Sequence, residues 1–287
     1  MFHIIMNPVS GKRRARKNLA VVTRMLEERG LEYEVHETCA VRDAEDIARR
    51  LTREGQNEMT VLGGDGTLHE VLNGLEDPTK CTLGLIPSGT GNDFAEKLGI
   101  PLQADKALER ILNGEAKPVD HLEVGGVRCM NVAGIGMDVD VLERCQRGKM
   151  KGKLKYLMSL LQSVFAFKGY PIVMRKDGKE EKHHALLAAA CNGAQFGGGI
   201  PICPAAVVDD GIMNVLVVDY IHGKWNLIKA LVTLLQGKIA EHRTATHFLC
   251  DRIRFEPQVP CTVQLDGELY KNLDFDVKLC RGLKMYC

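Results

Sequence analysis

Val61-Leu62-Gly63-Gly64-Asp65-Gly66-Thr67-Leu68-His69-Glu70 decides the reading of this chain. The apolar run at residues 59–62 predicts a buried strand. It stops at two glycines, an acid, a third glycine and a threonine, and residues 68–75 then predict a helix. A strand feeding a glycine-rich turn and a helix N-terminus is an anion-binding arrangement. Glycines let the backbone approach the anion, and the free N–H groups of the first helical turn point at it. The acid is the unusual member. A carboxylate in a phosphate loop repels phosphate unless a cation lies between them, so Asp65 points to a magnesium-bound nucleotide.

Outward from this turn, the first hundred residues alternate between strands and helices. Strands are expected at 2–6, 33–37, 59–62 and 82–86, and helices at 14–29, 43–54 and 103–113. Short strands separated by helices of this length predict a parallel sheet covered on both faces. Ligands of such sheets bind beyond the carboxyl ends of the strands. After about residue 118 the pattern changes. Strands are expected at 119–124, 127–135, 184–192, 213–218, 247–255, 261–265 and 274–279, with turns at Gly125-Gly126 and Asp177-Gly178. This predicts a mostly antiparallel second domain with helical insertions near 154–168 and 223–240. The expected organisation is an α/β nucleotide-binding domain over 1–118 and a β-sandwich domain over 119–287, with the last strand free to return to the first domain.

Composition narrows the class. The chain has 287 residues, 45% apolar and 26% charged, as in ordinary globular proteins. A net charge of +1 gives no global argument for nucleic acid. No apolar stretch reaches the roughly 20 residues that span a bilayer. The ten cysteines contain no Cys-x-x-Cys pair, which reads as buried, reduced thiols in a cytosolic protein. His183-His184, the tight histidine pair, sits in a charged stretch that reads as a solvated loop.

Two further strand ends carry similar loops. Asn7-Pro8-Val9-Ser10-Gly11-Lys12 follows the first strand, with Lys12, Arg13 and Arg14 supplying positive charge. Pro87-Ser88-Gly89-Thr90-Gly91-Asn92-Asp93 follows the fourth. Singly, each is an ordinary turn, and Asn92 and Asp93 read as caps of a helix starting near Phe94. Thr38, ending the second strand, reads as a turn residue or cap within reach of a nucleotide. Taken together the loops gain weight, because these strand ends converge on one crevice in a doubly wound sheet.

Asn-Pro-x-Ser-Gly, Gly-Gly-Asp-Gly-Thr and Pro-x-Gly-Thr-x-Asn-Asp, in this order and spacing, resemble the diacylglycerol kinase catalytic-domain family, and within it the soluble bacterial lipid kinases. The blocks Asn131 to Gly136, Asn192 to Gly199, Asp209-Asp210-Gly211 and Leu265-Asp266-Gly267-Glu268 extend the resemblance over nearly the whole chain. It implies a Rossmann-like nucleotide domain joined to a β-sandwich domain, with the active site in the cleft between them. It implies an ATP- and Mg2+-dependent lipid kinase that phosphorylates a hydroxyl of a lipid such as diacylglycerol. Matched position by position, the nucleotide-binding set is Pro8, Val9, Ser10, Gly11, Lys12, Thr38, Gly64, Asp65, Gly66, Thr67, Leu68, His69, Glu70 and Thr90. Asp65 matches the acid associated with the catalytic magnesium. Glu268 matches the proton acceptor, with Asp266 close enough to share or dispute that role. A structural magnesium is implied on Asp210 and the carbonyls of Val207 and Ile212. His69 departs from the small polar residue common in the family and is expected to face solvent.

The chemistry implied is positioning and charge neutralisation, with a carboxylate accepting the proton of the attacking hydroxyl. The acceptor itself is not legible: diacylglycerol, phosphatidylglycerol, a sphingoid base and a polyprenol suit the same loops. The basic run Gly148-Lys149-Met150-Lys151-Gly152-Lys153-Leu154-Lys155, followed by Leu157, Met158, Leu161 and Phe165, reads either as a membrane-surface segment or as a packed helix with solvated lysines. A lipid substrate at a membrane, transient peripheral contact at the inner membrane face and a cytoplasmic location follow from the resemblance, and the sequence leaves a homodimer open. NAD kinase shares the Gly-Gly-Asp-Gly-Thr loop but fits the loops at 7–11 and 87–93 poorly. Phosphofructokinases use a related loop but lack this second half. A non-catalytic nucleotide- or lipid-binding regulator is disfavoured because Asp65, Asp266 and Glu268 are all present. A dinucleotide dehydrogenase is disfavoured because no Gly-x-Gly-x-x-Gly follows the first strand.

Overall fold

In the computed structural model, residues 1–147 and 153–287 are described. The chain forms two units, Met1–Asp120 with Arg281–Cys287, and His121–Cys280.

The first unit alternates strand and helix: β1 (Phe2–Met6), α1 (Ser10–Glu28), β2 (Tyr33–Glu37), α2 (Asp43–Arg53), β3 (Glu58–Gly63), α3 (Asp65–Gly74), β4 (Thr82–Pro87), α4 (Asp93–Lys97) and α5 (Ala104–Asn113). The strands pair in parallel in the order β2-β1-β3-β4. β1, β3 and β4 are almost wholly buried, as expected for a sheet covered on both faces. The helices present apolar stripes to it, among them Val22 and Leu26 of α1, Ala44, Ala48 and Leu51 of α2, and Ala107, Leu108 and Ile111 of α5. β3 extends the expected 59–62 by one residue at each end, and α3 starts three residues earlier than the expected 68–75 and ends one earlier, because the helix begins within the glycine turn itself.

β5 (Ala116–Val124) leads into the second unit, followed by β6 (Val127–Cys129), β7 (Val132–Gly136), α6 (Met137–Arg147), α7 (Lys153–Ala166), β8 (Tyr170–Lys176), β9 (Lys179–Cys191), β10 (Gln195–Phe196), β11 (Ile200–Pro201), β12 (Met213–Asp219), α8 (Lys224–Leu235), β13 (Ala245–Cys250), β14 (Arg252–Pro257), β15 (Thr262–Leu265), β16 (Glu268–Lys271) and β17 (Asp276–Tyr286). The pairings within this unit are antiparallel. β9 organises them: it pairs with β8 along its first half, with β7 along its second, and with β12 on its other edge. Two apolar clusters fill this unit. One joins β9 and β12 to α6, α7 and α8, and the other includes Phe255, Phe275, Ile135 and Val263.

The structure corrects several expectations. The strand expected at 127–135 is two, β6 and β7, broken where Met130 and Asn131 turn. The strand expected at 247–255 is β13 and β14, broken at Asp251. β8, β16 and α6 were not anticipated. His183-His184 lies within β9, opposite Ile172 and Pro171 of β8, rather than in a loop; the charged residues around it are on the exposed end of the strand. The final strand serves both units. Arg252, Ile253 and Arg254 of β14 pair with Lys278, Val277 and Asp276, whereas Lys284 and Met285 pair in parallel with Thr82 and Leu83 of β4.

Candidate active site

In the first unit, the carboxyl ends of β1, β3 and β4 carry three loops that are tied to one another. Asn7 N–H donates to the Leu62 carbonyl at 3.3 Å, and Ser88 N–H to the Gly63 carbonyl at 2.7 Å. The loops then approach so closely that side chains are excluded. A Cβ on Gly64 would lie 2.8 Å from the Gly89 Cα, and one on Gly11 would lie 2.1 Å from the Ser88 carbonyl oxygen. Glycine is required at these contacts by steric exclusion.

The first loop is strained. Within α1, Gly11, Lys12 and Arg13 have left-handed backbone, with φ of 54°, 58° and 72°. For Lys12 and Arg13 this costs about 1–2 kcal/mol each. Strain of this kind concentrates at binding sites, and successive N–H groups around left-handed residues form anion-binding concavities. Arg14 reaches across to the Gly89 carbonyl at 3.4 Å, and Asn18 donates to Ser88 Oγ at 2.8 Å. Sequence reading missed Asn18, since nothing distinguishes an asparagine one turn into a helix.

α3 starts at Asp65 with Gly64 at its N-cap and no side chain capping it. Amides at the start of a helix point outward along its axis, the direction from which an anion is bound. Asp65 itself faces the neighbouring loop. Its Oδ2 accepts from Asn92 N–H at 2.8 Å and its Oδ1 from Phe94 N–H at 3.2 Å. Asp65 thus caps α4, the role expected of Asn92 and Asp93; Asn92 instead uses its amide to close its own loop on Gly89. Glu70 accepts from Ala44 N–H at the start of α2, at 3.3 Å. Thr67 is buried over Gly63, where a Cβ would come within 2.5 Å of it. Leu68 and His69 turn their side chains into the core. His69, expected to face solvent, is 3% exposed, because α3 is covered on that side by its neighbours. Pro8, Val9, Ser10, Lys12, Gly66 and Thr90 lie on the loops' accessible surface, and buried Thr38 ends β2 with its N–H on the Met6 carbonyl. Asp93 and Asp120 add two buried acids to this unit. Asp120 escaped the sequence reading inside an apolar strand, where a lone acid was its only signal.

In the second unit, Asp266 and Glu268 share a hairpin and behave oppositely. Asp266 and Gly267, at φ 53° and 92°, form the two-residue turn between Leu265 and Glu268, the pattern of a type I′ turn. The Asp266 carboxylate accepts from Met130 N–H and Asn131 N–H at 2.7 Å, Val132 N–H at 3.3 Å and the Cys129 thiol at 3.0 Å. Burial, and then the facing Asp266 charge, pushes the Cys129 thiol well up, so it stays a protonated donor. Gln264 Oε1 accepts from Gly267 N–H at 3.0 Å and braces the same turn. Glu268 opens β16 with its side chain exposed. Asp210, in the loop before β12, accepts from Ile212 N–H at 3.1 Å in a tight turn, with Val207 exposed nearby in sequence.

Residues 1–124 match the family model for the diacylglycerol kinase catalytic domain, and residues 131–282 match that for the YegS C-terminal NAD kinase beta sandwich-like domain. The chain belongs to the diacylglycerol kinase catalytic-domain family. It is 30% identical to the diacylglycerol kinase of Bacillus subtilis strain 168, over 92% of this chain and 88% of that one. It is 33% identical to a protein named as a YegS-like lipid kinase in Xanthomonas axonopodis pv. citri, over 91% and 88% of the two chains. The crystal structure of a Bacillus anthracis protein assigned as a diacylglycerol kinase superposes with a TM-score of 0.79 at 26% identity, covering 99% of this chain and 96% of that one. The chain is therefore a lipid kinase, and membership of a kinase family implies that it uses ATP. The α/β unit and the β-sandwich unit are the two domains expected of the family.

Proposed function

We propose that this lipid kinase transfers the γ-phosphoryl group of ATP, bound with magnesium, to a hydroxyl of diacylglycerol. The likeness along nearly the whole chain to relatives named for diacylglycerol carries this reading of the acceptor. The three loops of the first unit suit the triphosphate: left-handed backbone at residues 11–13, the uncapped start of α3, and Lys12 and Arg13 exposed beside them. Carboxylate and carbonyl oxygens are the ligands a hard cation takes, so the Asp65 carboxylate suits magnesium, as do the Asp210 carboxylate and the Val207 and Ile212 carbonyls. Magnesium at Asp65 would neutralise phosphate charge during transfer. Glu268 accepts the hydroxyl proton. Asp266, occupied by four donors, holds the turn that presents it.

Peripheral membrane contact has a physical basis in α8. Trp225, Ile228, Val232 and Leu235 recur at helical spacing on its outer face, and Trp225 is 79% exposed. Leu227, Ala230, Leu231 and Leu234 face inward. Lys224 and Lys229 flank the stripe, and α8 contains no acid. An apolar face with an indole and a basic rim suits the interface of an anionic bilayer. The basic run at 148–155, which reads either as a membrane-surface segment or as a packed helix, falls largely outside the described residues. Among the described residues no helix is long and apolar enough to cross a membrane.

The test is transfer of labelled phosphate from ATP, with magnesium, to diacylglycerol, phosphatidylglycerol, a sphingoid base or a polyprenol in mixed micelles, with NAD as a further acceptor. Label in diacylglycerol supports the reading. Preferential label in another lipid replaces the acceptor, and label in NAD overturns the assignment.

A further inference from the structure

A cluster of ligating side chains lies in the first unit, on the outer strand pair of its sheet and away from the glycine loops. His3 of β1 stands opposite Glu34 of the edge strand β2. Side chains two apart on a strand share a face, so His36 joins them. His3 and His36 are buried, at 6% and 8% exposure. Their rings lie 5.5 Å apart between centroids, with His3 Nδ1 3.3 Å from His36 Nε2. Glu34 Oε2 is 3.6 Å from His3 Nδ1, and its Oε1 is 3.7 Å from His36 Nδ1. One nitrogen from each imidazole and one carboxylate oxygen fall within 4.8 Å of one another.

We propose that His3, Glu34 and His36 form a binding site for one zinc-class transition-metal ion, which fastens edge strand β2 to β1. Two imidazoles and a carboxylate are a common three-ligand set for such an ion, leaving a fourth position for water. Tetrahedral coordination at the usual zinc–nitrogen distance separates two ligating nitrogens by about 3.3 Å, the separation already present. Magnesium is disfavoured, because it requires oxygen ligands in near-octahedral array. The half-exposed Glu34 gives an ion access from solvent.

The neighbouring charges set the conditions. Arg50 on α2 lies 3.3 Å from His36 Nδ1. With no metal bound, this donor fixes the tautomer: Nδ1 accepts from Arg50, and the hydrogen on Nε2 points at His3 Nδ1. Metal at Nε2 moves that hydrogen to Nδ1, which then no longer accepts from Arg50, and Arg50 turns to Glu54, whose Oε2 is already 3.6 Å from it. No proton is lost overall.

The test titrates the full chain with zinc in excess magnesium, and with cobalt for its visible spectrum. One ion per chain is expected, with cobalt bands of a nitrogen–oxygen set and no thiolate charge-transfer band. Glu34→Gln and His36→Gln should each weaken binding at least about tenfold. Arg50→Gln should tighten it, and Cys39→Ser, at an exposed thiol, should leave it unchanged. Zinc should raise the melting temperature of the wild type and not that of the two ligand variants. Equal affinity in wild type and Glu34→Gln overturns the proposal, as does loss of binding in Cys39→Ser or no binding at all. Glu34→Gln, at a half-exposed position, keeps the test decisive if His36→Gln folds poorly.

Discussion

Two carboxylates in one hairpin differ in what surrounds them, and this separates their roles. Asp266 accepts from three backbone amides and a thiol, whereas the Glu268 side chain is exposed. Glu268→Gln should lower kcat by roughly 10²–10⁴-fold while leaving the thermal midpoint nearly unchanged, since general-base assistance is of that size. Asp266→Ala strands part-buried donors, each costing about 1–3 kcal/mol, so its first effect should be a lower urea midpoint. A Glu268→Gln enzyme with wild-type turnover would remove that residue from catalysis. A third acid, Asp138, is fully buried at the start of α6. Its Oδ1 accepts from Val139 N–H, and its Oδ2 has no hydrogen-bond partner among the described residues. Burial pushes its pKa from 3.8 up to about 7. The folded state therefore holds this proton more tightly than the unfolded chain. Its contribution to stability is complete below about pH 4 and is lost as pH rises towards 7, on the order of 4 kcal/mol in total. Asp138→Asn should melt progressively higher relative to wild type as pH rises from about 4 to about 7. A pH-independent difference would count against this account.

At the scale of elements, α8 shows why periodicity alone did not assign a face. Its sequence, Lys-Trp-Asn-Leu-Ile-Lys-Ala-Leu-Val-Thr-Leu-Leu, is apolar nearly all round, so the pattern predicts a helix but not which side is covered. The packing decides it: Leu227, Leu231 and Leu234 enter the cluster with β9 and β12, and Trp225, Ile228 and Val232 remain outside. Trp225→Ser combined with Ile228→Ser should reduce sedimentation with vesicles containing anionic lipid at least several-fold. Activity on a short-chain, micelle-free substrate should be unchanged, because these side chains face solvent. Equal sedimentation of the double variant and wild type would exclude α8 as the contact face.

At the scale of the molecule, the last seven residues belong to the first unit although they follow the whole of the second. Leu283 and Met285 are fully buried there, and Lys284 and Met285 pair with β4. Burial of two such side chains is worth roughly 3–6 kcal/mol, a large part of a typical domain's stability. Deletion of residues 281–287 should therefore shift the urea midpoint sharply down or abolish folding. A midpoint matching that of the full chain would show that this strand is dispensable.

The sequence by itself determined the alternation of the first half, with β1 and β2 falling at the expected residues, and the order of the glycine loops that marks the family. These are local: a strand's period, a glycine's backbone freedom and a motif's spacing are written within a few residues. Only the tertiary structure decided that Asp65 caps α4, that Asp266 clasps residues 129–132, that His69 is buried and that β17 serves both units. Each depends on partners between about 25 and 200 residues away. A carboxylate reads alike in sequence whether amides, a proton or solvent will surround it. What surrounds it is fixed by packing, and packing separates the acid that holds the hairpin from the acid left exposed on it.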